Sequence, residues 1–267
     1  MKFFYTSIGG GITGIETLIN IVQNLKKHKF KQKKKKIINL AIIDKKPENI
    51  PGGVAYGFHN SQYGFFNNPI RLSPRSFANW VRQKKNKKKI IDYLDKYGGY
   101  TGKKWIKNNI KILNKNNNKN FQELYLPRVS ANFWMEVKLI NLIKVIERLN
   151  SNSQLSIKIN FFAGEVTDIT DNKKYKKIKF KNNKCFELGY AIKENSLKKF
   201  YFYKTGKIIN TINSLSQSIG IGLTPPKQIA SNRAQTNKNY IWDFYDEGST
   251  SRLLKKIKEI NKNSIKI

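Results

Sequence analysis

Gly9-Gly10-Gly11-Ile12-Thr13-Gly14 constrains the fold of this chain more than any other stretch, because it follows directly on the short apolar run Phe3, Phe4, Tyr5 and Ile8. That order reads as strand, tight turn and helix start. Each glycine of a Gly-x-Gly-x-x-Gly run has a physical use: Gly9 permits the sharp turn, Gly11 removes a Cβ where backbone must approach phosphate, and Gly14 lets the helix pack close to the strand. The helix N-terminus then offers free N–H groups and a positive dipole end to an anion. Gly9, Gly10, Gly11, Ile12, Thr13 and Gly14 are therefore the candidate seat of a dinucleotide pyrophosphate, with a glycine turn of purely structural use as the alternative.

The following residues continue the unit. Ile15, Leu18, Ile19, Ile21, Val22 and Leu25 recur at helical spacing, and Ile37 to Ile43 is a near-continuous apolar run that ends at Asp44. A carboxylate at the tip of a second strand accepts hydrogen bonds from a ribose hydroxyl and repels a 2′-phosphate. Asp44, with Lys45 beside it, is the candidate ribose site; a strand-end turn residue is the plainer reading. The spacing exceeds the usual ~20 residues, with the excess in the polar loop from His28 to Lys36.

A chain of 267 residues can bury a substantial core. Its one cysteine, Cys185, and two histidines, His28 and His59, leave no disulfide framework and none of the usual zinc spacings, so no metal site is expected. No charged leader precedes a long apolar segment, and no stretch approaches the ~20 apolar residues of a membrane span. The expected address is the cytoplasm. The formal charge of +35 would ordinarily suggest nucleic acid. However, lysine rises together with asparagine and isoleucine, and the basic runs Lys26 to Lys36, Lys84 to Lys89 and Lys173 to Lys177 lack interleaved aromatics for base stacking. No specific nucleic-acid partner is expected.

Beyond Asp44, the Gly/Pro-punctuated stretch Lys45 to Gly64 reads as a long functional loop without helix or regular strand. Ser76 to Tyr97 and Trp105 to Leu113 read as helical, and Asn114 to Asn120 as a polar turn. Asn132 to Leu149 is the clearest helix, with Phe133, Val137, Ile140, Leu142, Ile143, Ile146 and Leu149 at three- and four-residue steps. Ser156 to Ile169, Tyr175 to Phe180, Cys185 to Leu188 and Lys198 to Ile209 read as a small β-meander. Asn213 to Ile267 reads as a Gly/Pro turn, a loop, a helix around Ser251 to Ile260 and a terminal strand-like segment.

Further stretches follow in order: Gly52-Gly53-Val54-Ala55-Tyr56, Phe66-Asn67-Asn68-Pro69, Ser76-Phe77 with Trp80-Val81, Leu126-Pro127-Arg128, Gly164-Glu165-Val166-Thr167-Asp168-Ile169, and Gly220-Ile221-Gly222-Leu223-Thr224-Pro225-Pro226. The series resembles the FAD-NAD(P)-binding proteins, which carry G-x-G-x-x-G, G-x-A-Y, L-N-x-P, a D-F-x-x-W-like helix start, P-R-x-x-G-x-Y and A-T-G-x-x-P-P. The resemblance spans nearly the whole chain. It implies an α/β fold, a Rossmann-like FAD-binding domain of the glutathione-reductase type, three-layered with a mostly parallel sheet, a small β-meander and a helical insertion. As one discontinuous domain this is core 1–60 and 121–267 with the insertion at 61–120.

The resemblance further implies FAD as cofactor, with its flavin side toward the long Gly52 to Pro69 loop, which carries Gly53, Ala55, Tyr56 and Asn67. Val166 would meet adenine through its backbone, and Gly220 and Gly222 would form the late turn. Arg128 steadies a phosphate or the flavin, or serves as a surface salt-bridge partner. Tyr56 contacts flavin or packs its loop, Asn67 contacts flavin or holds its turn, and His59 is read as solvated. Ser218-Ile219-Gly220 stands where the family has A-T-G, and Ala131 replaces a family glycine. Relatives continue into a second glycine motif for the nicotinamide nucleotide, and this chain stops at Ile267; the second, NAD(P)-binding lobe is expected to be absent. NAD(P)H then enters only through a site not in this chain, one that a partner chain supplying a C-terminal half would provide.

No serine-nucleophile elbow, paired carboxylates or P-loop is recognisable, so no catalytic residue is assigned. That agrees with flavin chemistry, in which the cofactor reacts and the protein positions it. The expected function is an FAD-binding oxidoreductase, monooxygenase-like, of unknown small-molecule substrate. The competing reading is a non-catalytic FAD- or nucleotide-binding module or a truncated flavoprotein remnant.

Overall fold

The structure is a computed structural model that describes residues 1–27, 36–57, 64–115, 119–152, 154–172, 174–193, 196–203, 211–220 and 240–241. It is a mixed α/β fold built on a mostly parallel sheet. The chain opens with β1 (Lys2–Ile8), α1 (Ile12–Lys27) and β2 (Lys36–Asp44). A short 3-10 turn at Pro47–Asn49, one helical turn α2 (Gly53–Tyr56) and a second 3-10 turn at Ile70–Leu72 follow. Next come α3 (Arg75–Arg82), α4 (Lys84–Tyr97), α5 (Gly99–Asn114), α6 (Lys119–Gln122) and α7 (Val129–Asn152). The strands β3 (Leu155–Asn172), β4 (Tyr175–Lys193), β5 (Ser196–Tyr203), β6 (Thr211–Gly220) and β7 (Tyr240–Ile241) complete the described chain.

Among the described residues the strands form one sheet in the order β5-β4-β3-β2-β1-β6-β7. The pairs β3–β2, β2–β1, β1–β6 and β6–β7 are parallel, and β4 is antiparallel to both β3 and β5. β2 explains its own position: an apolar run buried on both faces suits an interior parallel strand. Ile38, Leu40 and Ile42 join the core shared with α1 and α7, whereas Ala41 and Ile43 face the opposite way. There they pack with Phe3, Phe162, Ile178, Phe180 and Ile212. Lys176 to Lys179 of β4 also pair with Thr211 to Ser214 of β6, so the start of β4 closes over this second face. Helices, parallel sheet and antiparallel strands thus stand as three layers. No helix among the described residues is long and apolar enough to cross a membrane.

Several local expectations need correction. The stretch after Asp44 is not wholly irregular, since Pro47–Asn49 and Gly53–Tyr56 each form one helical turn. Ser76 to Tyr97 is two helices, because Gln83 is extended (φ −69°, ψ 131°) and Asn86 Nδ2 reaches back to the Trp80 carbonyl (2.8 Å). Trp105 to Leu113 is the end of a longer helix that starts at Gly99. In α7 the fully buried seam runs through Met135, Leu139, Leu142 and Ile146, and Val137 is 41% exposed. Tyr175 to Phe180 and Cys185 to Leu188 belong to one strand: Asn182 and Asn183, which read as turn residues, fall where the register slips between Lys181 and Lys184, a β-bulge. β6 is a strand that the sequence reading passed over; its run Asn213-Ser214-Leu215-Ser216-Gln217-Ser218 has turn-like composition, yet Ser214 is fully buried beside β1. The expected helix around Ser251 to Ile260 and the terminal segment lie outside the described residues.

Candidate functional site

The parallel register brings the C-terminal ends of the central strands to one edge. Ile8 lies opposite both Ile43 and Ile219, and Asp44 lies opposite Ala163. Gly9, Asp44, Gly164 and Gly220 are consequently neighbours along that edge. β2 and β3 lie on one side of β1 and β6 on the other, so β1 is the switch point at which such sheets open a crevice for ligands.

The glycine run is shaped by contacts. Gly9 has φ +97°, a left-handed conformation that favours glycine. Its N–H donates to the Ile43 carbonyl (2.7 Å), which ties the turn to β2. A Cβ on Gly14 would stand 2.3 Å from the Gly9 carbonyl oxygen and 2.5 Å from Ser7 Oγ, so helix and strand do meet at glycine. Ser7 Oγ in turn donates to the Gly9 carbonyl (2.9 Å). The first backbone hydrogen bond of α1 runs from Ile15 N–H to the Gly11 carbonyl (3.0 Å), leaving the N–H groups of the first turn to face outward as at any helix start.

Gly11 serves a purpose that the spacing did not foretell. A Cβ there would lie 3.3 Å from Gly53 Cα, and Gly53, with φ +66°, would bring its own Cβ 2.9 Å from Gly11 Cα. The two loops therefore touch backbone to backbone. Gly10 is closed in by Ile50, whose Cγ1 would be 2.5 Å from an added Cβ. Ile12 is a core residue at 5% exposure, so only its main chain can face a ligand, while Thr13 is half-buried.

Asp44 is the hinge of the electrostatics. Its Oδ2 accepts from Gly10 N–H (2.6 Å) and its Oδ1 from Lys46 N–H (2.7 Å). Burial raises its pKa above the ordinary 3.8, the two backbone donors pull it down, and nearby Glu48 pushes it up again. Beside it, Lys45 reaches across to Glu165 on β3 (2.9 Å), a pair exposed enough to add little stability.

The remaining candidates divide into two groups. Arg128 and Asn67 come together: Arg128 Nε donates to the Phe65 carbonyl (3.0 Å) and Nη2 to Asn67 Oδ1 (3.3 Å), so the arginine holds the 65–67 loop rather than an acidic partner. Tyr56 packs against Phe66 with ring centroids 5.5 Å apart, and Ala55 is buried. Val166 pairs with Phe180 of β4 beyond the bulge, past the tip of β2. Gly220 pairs with Ile241 beside the end of β1. Gly222 and His59 lie outside the described residues.

The sequence reading missed Ser7, Asn49 and Asn132 as parts of the site. Added Cβ atoms on Gly52 and Gly57 would come within 2.5 Å of Asn132 Oδ1 and 2.8 Å of Asn49 Oδ1, so the two amides floor the loop that contacts Gly11. Asn49 Oδ1, Asn132 Nδ2 and Ser130 Oγ are buried without a hydrogen-bond partner among the described residues. Ser130 and Asn132 stand between the apolar Val129, Ala131 and Phe133, a signal that becomes legible only once burial is known, whereas Asn49, beside Glu48 and Pro47, carries none.

No protein-family model matches the chain, and the search of curated proteins finds no match. Among solved structures, the chain is similar to a bacillithiol disulfide reductase from Staphylococcus aureus, with 14% identity over 83% of this chain and 39% of that one at a TM-score of 0.32. It is also similar to thioredoxin reductase from Lactococcus lactis, with 12% identity, 87% and 41% coverage and a TM-score of 0.32. A third is p-nitrophenol 4-monooxygenase from Pseudomonas putida, with 10% identity, 83% and 41% coverage and a TM-score of 0.30. The chain thus spans about two fifths of the length of these structures. Likeness at this level is partial and of shape alone.

Proposed function

We propose that this chain binds FAD along the C-terminal edge of its parallel sheet and forms the FAD-binding part of a flavin-dependent oxidoreductase. One observation carries the reading: a glycine turn with positive φ, a helix start pressed against it at Gly14, and a buried-edge carboxylate at the tip of the adjacent strand meet at the switch point of the sheet. The pyrophosphate is assigned to the outward N–H groups of the first turn of α1 and the ribose hydroxyls to Asp44. A carboxylate has about four acceptor positions, so Asp44 keeps capacity for ribose while it holds Gly10 and Lys46. The choice of FAD over another dinucleotide rests on the ordered motifs that follow, of which Gly53 is seated on Gly11 and Asn67 on Arg128.

Bound there, FAD would supply the redox chemistry, and the chain's own groups would fix its position and charge. The backbone amides of Ile12 and Thr13 would neutralise phosphate, Asp44 would set the adenosine end, and the Gly52 to Asn67 region would bound the flavin end. Asn49 and Asn132 add orphaned polar atoms beside Gly57 and Gly52, which fits a polar ring system or an ordered water there. NAD(P)H is proposed as electron donor. Incubating the purified protein with excess FAD, desalting it and recording its visible spectrum tests the reading. Retained flavin that ADP displaces is the expected result; a folded protein that emerges colourless would sink it.

A further inference from the structure

A separate recess of about 450 Å³ lies where α3, α4 and α5 meet, lined by Arg82, Lys84, Lys87, Lys88, Ile91 and Asn114. It shares no lining residue with the glycine edge. The basic run Lys84 to Lys89 looked like composition filling a solvated surface, but the structure divides it. Lys89 pairs with Glu136 (3.6 Å) and lies over the Phe133 ring (4.1 Å). Lys84, Lys87, Lys88 and Ile91 stand at i, i+3, i+4 and i+7, one face of α4, and that face opens on the recess. Arg82 closes it from the last turn of α3 and Asn114 from the end of α5.

Two features set this face apart from a solvated lysine cluster. Lys87 is only 5% exposed, whereas lysines placed by composition alone remain in water. Its pKa is lowered by burial, the sign of a charge kept from solvent. The gathering is also unfavourable by itself: like charges three and four residues apart repel, and cations at a helix N-terminus oppose its dipole. The first turn of α4 contains no acidic residue, and none of the described residues lining the recess is acidic. Asn86 holds the geometry rigidly, bonded to the Trp80 carbonyl (2.8 Å) and to Gln83 Oε1 (3.1 Å) at the joint between the two helices. A multivalent anion reverses the sign of each of these contributions.

We infer that the recess between α3, α4 and α5 is a binding site for a compact phosphate-bearing molecule, either free pyrophosphate or the phosphate tail of a nucleotide. Lysines bind phosphate as point charges; Arg82, whose Nη1 donates to Asn79 Oδ1 (2.9 Å) and whose guanidinium lies over the Phe121 ring, adds a fixed positive charge, and Asn114 a neutral donor. The size falls within the ordinary range for small-molecule pockets, roughly 300–1,000 Å³.

Calorimetric titration of the whole chain, held in excess FAD so that the glycine edge is already filled, with pyrophosphate and with ATP at about 0.15 M salt where long-range attraction is screened, tests this. Two triple variants with the same charge change are compared: Lys84→Gln/Lys87→Met/Lys88→Gln in the recess, and Lys103→Gln/Lys104→Gln/Lys107→Gln on the exposed face of α5. The expected result is saturable binding near one per chain that weakens about tenfold or more in the recess variant and little in the α5 variant. Tighter binding of ATP than of pyrophosphate identifies a nucleotide, and equal binding identifies free phosphate. Thermal unfolding without ligand guards against misfolding, since removing crowded like charges should leave the recess variant at least as stable as wild type. No binding to folded wild type, equal weakening in both variants, or preference for a single-stranded oligonucleotide lost equally in both would overturn the inference.

Discussion

Gly14 shows how little freedom a single position leaves. Its missing Cβ would lie against a backbone oxygen and a buried hydroxyl, neither of which can swing away as a long side chain could. Gly14→Ala should therefore lower stability by about 1–3 kcal/mol, the usual range for overpacking, and urea unfolding would measure it; a loss below half a kcal/mol would mean that helix and strand part easily here. Asp44 gives a prediction in pH. Because burial raises its folded pKa above 3.8, its ionisation detracts from stability as pH rises through the folded value, and the neutral form is favoured below it. Ribose hydroxyls favour the ionised form. FAD affinity should thus climb as pH rises through the raised pKa and then level off, and Asp44→Asn should bind weakly with no such rise. A fluorescence titration from acid to neutral pH that shows constant affinity in the wild type would remove Asp44 from the ribose.

Among the elements, the joint between α3 and α4 is held by the Asn86 side chain together with the Gln83 backbone, whose N–H also donates to the Trp80 carbonyl. Asn86 is 6% exposed and satisfies the Trp80 carbonyl where the helix breaks. Asn86→Ala should cost about 0.5–1.5 kcal/mol for the hydrogen bond lost, since Gln83 N–H still donates to the Trp80 carbonyl (3.2 Å); chemical denaturation reads it, and it should disturb the neighbouring recess more than the glycine edge. The joint also marks what the sequence hides. Phe77, Trp80 and Val81 and then Ile90, Ile91 and Leu94 all have helical spacing, so the pattern reads through Gln83; the break is made by a side chain bonding to backbone, which periodicity does not encode. β1, α1, β2 and Asp44 were legible because each signal is local and all of them agree. β6 was not, because its place depends on pairing with β1 some two hundred residues away. Its serines look like turn residues until that partner is known. The contact of Gly11 with Gly53 escaped notice for the same reason: two glycine motifs were read separately, and only the fold lays one on the other.

For the whole molecule, charge is the dominant unspecific force. A formal charge of +35 on 267 residues repels itself in the compact state, so the melting temperature should rise as sodium chloride increases from about 0.05 to 0.5 M, over which screening shortens markedly. A flat response in differential scanning calorimetry would mean that the lysines are already neutralised by bound anions. The three layers meet at the edge where Gly9, Asp44, Gly164 and Gly220 gather, and the value of that edge as a dinucleotide site can be separated from its role in folding. Thr13 is half-buried in the first turn of α1, where a carboxylate suits the helix dipole but repels phosphate. We would measure FAD affinity and melting temperature together for wild type and Thr13→Asp. Binding by wild type, with an affinity loss of at least about a hundredfold and an unchanged or higher melting temperature in the variant, is the outcome expected for pyrophosphate on the first turn of α1; equal FAD affinity in two folded proteins would show that the glycine turn shapes the fold and holds no phosphate.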